Sequence, residues 1–163
     1  MFSLQLARRS KMEDIIKDFQ GENSFLSNFF EAPVRINNKI FPTSEHAFQA
    51  LKSWHEDDWD KILKCETAGR AKRAGRKLRI REDWEEVKLK IMKEIIRRKF
   101  SQHPDLADKL VATEQKELQE GNNWGDTFWG ISNGKGQNNL GIILMEVREE
   151  LVRFRHRTNL WPV

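Results

Sequence analysis

The feature that most limits the architecture open to this chain is the run from Asp83 to Phe100, where Trp84, Val87, Ile91 and Ile95 interleave with Met92, Ile96 and Phe100. Apolar residues three and four apart form one stripe on an α-helix and no consistent face on a strand, so the spacing predicts a long amphipathic helix. His103-Pro104 ends it, because proline disfavours helical backbone in the residue before it and suits the first turn of a new helix, predicted through Val111. Leu140, Ile143, Leu144, Val147, Leu151 and Phe154 repeat the pattern and predict a closing helix over Asn139 to Phe154. Shorter helices are predicted over Glu56 to Lys64 and Thr67 to Lys77. Val34-Arg35-Ile36 and Lys39-Ile40-Phe41 flank Asn37-Asn38 and predict a hairpin, while Asp14 to Asp18 and Lys116 to Glu120 are expected as short strands. The expected fold class is α+β: a mainly helical single domain with a few short strands.

A chain of 163 residues suits one domain and can bury a substantial core, to which ten Phe and six Trp contribute bulk. Residues 1–12 are read as a loose leader, 13–154 as the domain and 155–163, with Trp161, as a tail, both ends expected to be dispensable for chemistry. A single cysteine, Cys65, leaves no intrachain disulfide framework or thiolate-rich metal site, and no stretch reaches the roughly 20 apolar residues of a membrane span. The expected compartment is cytoplasmic, with no membrane and no obligate protein partner. The net charge of +4 owes much to Arg70, Lys72, Arg73, Arg76, Lys77, Arg79 and Arg81, a run that reads either as a solvated face or as a grip for phosphate.

Chemistry concentrates in Phe41 to Lys52, where Thr43-Ser44 opens a helix and Glu45, Gln49 and Lys52 follow at i, i+4 and i+7. A carboxylate, an amide and an amine on one stripe can point together into a cleft; an ordinary solvated face would carry the same residue types. His46 falls about 100° away around the helix and is expected to pack or cap. Gly121 to Gln137 is expected as a long glycine-rich loop, and its Trp124 and Trp129 argue for an ordered, functional loop. Four histidines without ligand spacing predict no metal, and Gly134-Lys135-Gly136 lacks the spacing of a phosphate loop or a dinucleotide fingerprint, so no cofactor is expected.

Five blocks in order resemble the YbiA-like, or NADAR (NAD- and ADP-ribose-associated), superfamily between about Asp18 and Leu151. They are Ser27-Asn28-Phe29; Pro42 to His46 with Phe48-Gln49-Ala50 and Lys52; Arg73 with Gly75-Arg76; Trp84 with Val87-Lys88; and Trp124-Gly125-Asp126 with Gly134-Lys135-Gly136, Asn138 and Leu140-Gly141. The resemblance implies an N-glycosidase with Glu45, Lys52 and Asp126 as catalytic residues. Ser27, Asn28, Gln49, Arg73, Arg76, Trp84, Trp124, Lys135 and Asn138 are then the substrate-binding set.

Breaking a bond between an anomeric carbon and nitrogen builds positive charge on the sugar, which a fixed carboxylate stabilises while activating water. Glu45 and Asp126 fit that requirement, although Asp126 beside Gly125 also reads as a turn residue. Lys52 is either a hydrogen-bond donor or an amine that holds the opened sugar as a Schiff base, which requires its neutral form. Trp84 either packs in the core or stacks on a base, and the guanidinium forks of Arg73 and Arg76 match phosphate geometry. The implied substrates are a phosphorylated ribosylamino-pyrimidine of riboflavin synthesis or ADP-ribose attached to guanine in nucleic acid. The alternative is a non-catalytic module that holds ADP-ribose or a related nucleotide; a sequence-reading DNA protein lacks a recognition module around Arg70 to Arg81.

Overall fold

The computed structural model of the protein describes residues 14–159, with side chains as far as Arg157; the expected leader and Trp161 of the tail lie outside the described residues. The chain divides into two compact units, one continuous over residues 28–104 and one built from the segments that precede and follow it.

In the continuous unit, strands β2 (Glu31–Ile36) and β3 (Lys39–Thr43) form the expected antiparallel hairpin, pairing Ile36 with Lys39, Arg35 with Ile40 and Val34 with Phe41. Asn37 turns the corner at a φ of 53°, a conformation asparagine tolerates in a two-residue hairpin turn. The register then shifts before Glu31 meets Thr43. Pro33 and Pro42 lie in that stretch and have no N–H to give the ladder. Ala32, Val34 and Ile36 alternate inward, and β3 runs directly into the helix Ser44–Ala50.

Three further helices follow in this unit: Glu56–Leu63, Ala68–Gly75 and the long Trp84–Gln102. Each lies within two residues of the bounds expected from its pattern. The hydroxyl of Thr67 caps the second by accepting from Arg70 N–H at 3.2 Å. The long helix buries Trp84, Met92, Ile95, Ile96 and Phe100, as its stripe dictates, and also Lys99, which the stripe does not show.

The other unit pairs β1 (Ile15–Ile16) in parallel with β4 (Glu117–Leu118), the two expected short strands, each reduced to two residues. A 3-10 helix over Gly21–Leu26 was not signalled by any periodicity and buries Phe25 and Leu26. The expected loop after Gly121 holds a second parallel pair, β5 (Gly121–Asn122) with β6 (Ile131–Ser132). Gly121 is required there, since a Cβ would lie 2.1 Å from the carbonyl oxygen of Lys17. Helices Pro104–Val111 and Asn139–Asn159 complete the unit, and Arg148 of the latter donates to Thr113 Oγ1 at 2.7 Å and to Lys116 O at 2.9 Å. The fold class is α+β, about half helical with a few short strands. No helix among the described residues is long and apolar enough to cross a membrane.

Candidate active site

The helix Ser44–Ala50 has seven residues, and all seven are buried. So short a helix does not persist alone in water, so tertiary contacts hold it: the β2–β3 hairpin, the helix Ala68–Gly75 and the long helix all pack against it. Its start is fixed by Thr43, whose hydroxyl accepts from His46 N–H at 3.2 Å. His46 Nε2 lies 3.0 Å from Cys65 O, which can only accept, so that ring nitrogen donates; Nδ1 then accepts from the Thr43 hydroxyl at 2.8 Å. His46 is a packing and capping residue, turned to the scaffold.

Glu45 is 6% exposed, and its backbone N–H donates to Asn28 O at 3.0 Å. Gln49 Nε2 donates to the Glu45 carboxylate at 2.6 Å, an orientation the acceptor-only carboxylate imposes on the amide. The buried stripe therefore excludes the solvated-face reading for Glu45 and Gln49. The opposite end of the Gln49 amide faces Gly75, where an added Cβ would fall 1.9 Å from Gln49 Oε1. Gly75 is thus the residue that lets the basic helix close over the amide.

Lys52 occupies the turn after the helix, with Nζ 5.8 Å from the Phe48 ring centroid and 5.9 Å from that of Trp84. The two rings lie 5.0 Å apart and form a wall beside the ammonium group. Burial holds the Lys52 pKa below that of a free lysine; Glu45 works against the shift by favouring the charged form, while Lys72 and Arg76 add to it. Trp84, 8% exposed, is packed against Phe48 with Lys52 Nζ beside it, which accords with the packing reading of this residue. Asn28 donates to Met92 Sδ at 3.4 Å. Three buried polar atoms of this region, Asn28 Oδ1, Ser44 Oγ and Gln49 Oε1, have no hydrogen-bond partner among the described residues. Arg73 and Arg76 are exposed on or just beyond the end of the basic helix, and of the two it is Arg76 that acts electrostatically on Lys52.

The remaining residues of the expected site belong to the other unit. Ser27 ends the 3-10 helix, its N–H donating to Ser24 O at 2.9 Å. Asp126 Oδ1 accepts from the N–H groups of Phe128 and Trp129 at 3.1 and 2.9 Å, a turn that orders the glycine-rich segment. Asn122 reinforces it, exchanging hydrogen bonds with the Asp126 backbone at 2.8 and 3.0 Å. Trp124 is 62% exposed beside this turn, and Lys135 is exposed in a tight turn from Ser132. Asn138 is buried, and its amide serves the scaffold: Nδ2 donates to Leu118 O at 2.8 Å and Oδ1 accepts from Glu120 N–H at 3.0 Å.

Sequence reasoning named Phe48, Lys72 and Met92 without connecting them to the Glu45–Lys52 stripe, and missed the steric role of Gly75. Phe48 was legible, four residues before Lys52 on the same face. The other three act only once the helices are packed, Lys72 through its charge on Lys52, Met92 and Gly75 through contact. No group of three or more His, Cys, Asp or Glu side chains that could hold a metal occurs among the described residues.

The solution structure of the E. coli protein YbiA shares the fold with a TM-score of 0.78 and 37% identity, over 87% of this chain and 88% of that one. The N-glycosidase YbiA of Shigella boydii is 39% identical over 146 residues, 86% of this chain and 91% of that protein. A riboflavin biosynthesis protein of Vibrio vulnificus is 38% identical over 149 residues, 88% of this chain and 40% of that protein. Fold and likeness together define a hydrolase of the N-glycosidase type. The chain belongs to the NADAR domain family, whose model matches residues 16–152.

Proposed function

We propose that this N-glycosidase hydrolyses a phosphorylated ribosyl compound whose leaving group is a nitrogen base, with Glu45 and Lys52 at the reacting carbon. The observation that carries the reading is the buried Glu45 carboxylate, held by Gln49 at 2.6 Å beside a lysine that burial makes easier to deprotonate. As the carbon–nitrogen bond breaks, its electron pair leaves with the base and the sugar becomes cationic; a carboxylate held in place and largely out of water stabilises that cation strongly. Water adds to the cation, giving its proton to the Glu45 carboxylate, which passes it to the departing nitrogen, and the resulting hemiacetal opens to the aldehyde. Neutral Lys52 adds to that aldehyde with loss of water, and a second water hydrolyses the Schiff base to release the sugar and regenerate the amine. Asp126 is assigned no step in this reading; its Oδ1 is held by two backbone N–H groups of its own turn. Arg73 and Arg76 are assigned the sugar phosphate, since guanidinium forks match its geometry and Arg76 bears on Lys52.

Two substrates fit this chemistry: a ribosylamino-pyrimidine phosphate, favoured by the name of the Vibrio vulnificus relative, and ADP-ribose on guanine in nucleic acid. The test is mass-spectrometric product analysis of the native protein and Glu45→Gln with each substrate in parallel. Release of base or sugar by the native protein and not by Glu45→Gln is expected for one of them. Turnover by Glu45→Gln at the native rate would overturn the role of the carboxylate, and binding of both substrates with turnover of neither would favour the ligand-holding alternative.

A further inference from the structure

Outside the Glu45–Lys52 stripe, the same unit carries an open pocket of about 380 Å³ lined by Trp54, His55, Arg79, Ile80, Arg81, Glu82 and Asp83. Trp54 is 64% exposed, an unusual position for the largest side chain unless it meets something. One indole face is occupied: the Arg81 guanidinium carbon lies 3.4 Å from the ring centroid. Arg81 is itself fixed, donating to both carboxylate oxygens of Asp83 at 2.6 and 2.8 Å.

The segment bearing Trp54 is equally anchored. Ser53 Oγ accepts from His55 N–H at 3.2 Å and donates to Asp58 at 2.7 Å, and Trp59 Nε1 donates to Ser53 O at 2.9 Å. Arg79 gives its Nε to Asp58 at 3.1 Å, with its side chain 55% exposed. A rigid aromatic shelf backed by a guanidinium and open on its other side is a platform for a flat ring, since stacking needs little further ordering of the protein.

Charge identifies the kind of ring. The two guanidiniums of the pocket are matched by Asp58 and Asp83, with Glu82 alongside, so the shelf itself does not concentrate positive charge and suits an uncharged ring. An exposed cation without an ion pair among the described residues, Lys77, lies two residues before Arg79 in the chain. The pocket is also tied to the catalytic stripe, because Arg81 N–H donates to Lys52 O at 2.7 Å and Trp84 N–H to Arg81 O at 3.2 Å. Neutral stacking surface beside phosphate-binding cations is how proteins hold single-stranded nucleic acid without reading its sequence.

We propose that Trp54 is a stacking subsite for an unpaired nucleobase of a single-stranded nucleic acid, whose neighbouring phosphate meets Lys77. The inference adds a subsite next to the proposed catalytic stripe and is read by binding alone, so it can fail or hold independently of turnover.

Fluorescence anisotropy of a labelled twelve-nucleotide oligothymidylate tests it, with the full chain, Trp54→Ala and Trp54→Phe. Expected are strand binding by the native protein, weakening by about 10-fold or more in Trp54→Ala, in line with removal of one stacked base, and retention within about 3-fold in Trp54→Phe. The same strand annealed into a duplex has its bases paired, so its weaker, phosphate-driven binding is expected to be indifferent to Trp54→Ala. Circular dichroism and a thermal melt confirm that the variants fold, as expected for an exposed side chain. Native-like strand binding by Trp54→Ala, an equal loss for the duplex, or absence of strand binding by the native protein would each overturn the proposal.

Discussion

Replacing Gly75 by alanine separates two physical effects of opposite sign. In a helix, alanine is better than glycine by up to about 1 kcal/mol, so local propensity alone favours Gly75→Ala. The structure reverses that expectation: the new Cβ would fall 1.9 Å from Gln49 Oε1, 2.7 Å from Cδ and 3.1 Å from Cβ of the same side chain. Because Gln49 is buried and bonded to Glu45, it cannot simply swing into solvent. Forcing it aside costs about 1–3 kcal/mol of overpacking, and the lost bond to a charged carboxylate about 1.5–3 kcal/mol. The net expectation is destabilisation on the order of 2–3 kcal/mol, a shift of roughly 1 M in a urea midpoint.

Equilibrium urea unfolding of the native protein, Gly75→Ala, Gln49→Ala and the double variant reads the pairwise term. With Gln49 truncated the two severe overlaps are gone and only the contact to its Cβ at 3.1 Å remains, so Gly75→Ala should lose most of its cost, giving a coupling on the order of 2 kcal/mol. A Gly75→Ala protein as stable as the native one, or an equal loss in both backgrounds, would refute the reasoning.

Two further outcomes follow from lysines, the half-buried Lys52 and the buried Lys99. Because Lys72 helps to lower the Lys52 pKa, kcat/KM is expected to rise with pH through a value below 10.5, and Lys72→Met should move that limb to higher pH; a limb that stays in place would remove Lys52 from the titration. Lys99, fully buried with Nζ 5.6 Å from the Phe30 centroid and 5.3 Å from that of Phe100, has its pKa pulled down from 10.5 to about 7 by burial. Between those values the unfolded chain binds a proton that the folded one does not, so stability should rise with pH across that window, the cost being full below it. Lys99→Met is expected to stabilise the protein at neutral pH by on the order of 2 kcal/mol and to remove the Lys99 contribution to the slope. Urea midpoints near neutrality and near pH 10 check this, and an unchanged slope would contradict it.

Helix periodicity was legible because burial in an amphipathic helix repeats every three to four residues, and turn chemistry was legible at Asn37 and Thr43 because these side chains satisfy the backbone locally. The 3-10 helix Gly21–Leu26 and the β5–β6 pairing were not, since each is too short to show a period. At the site, the Glu45, Gln49 and Lys52 stripe could be read from spacing alone. Asn138 shows the limit: its residue type suits a ligand contact, yet both ends of its amide are taken by Leu118 and Glu120.

The sequence by itself determined the apolar faces of the longer helices, the bounds of most of them to within two residues, and that Glu45, Gln49 and Lys52 share one stripe, because these depend on neighbours within a turn or two. Tertiary structure alone decided that the stripe is buried, that Gly75 makes room for the Gln49 amide, that Lys72 and Arg76 bear on Lys52, and that Trp54 stands exposed with Arg81 on one face. Desolvation, steric closure and charge coupling are set by distance in space, and residues far apart in the chain carry no periodic mark of where they will meet.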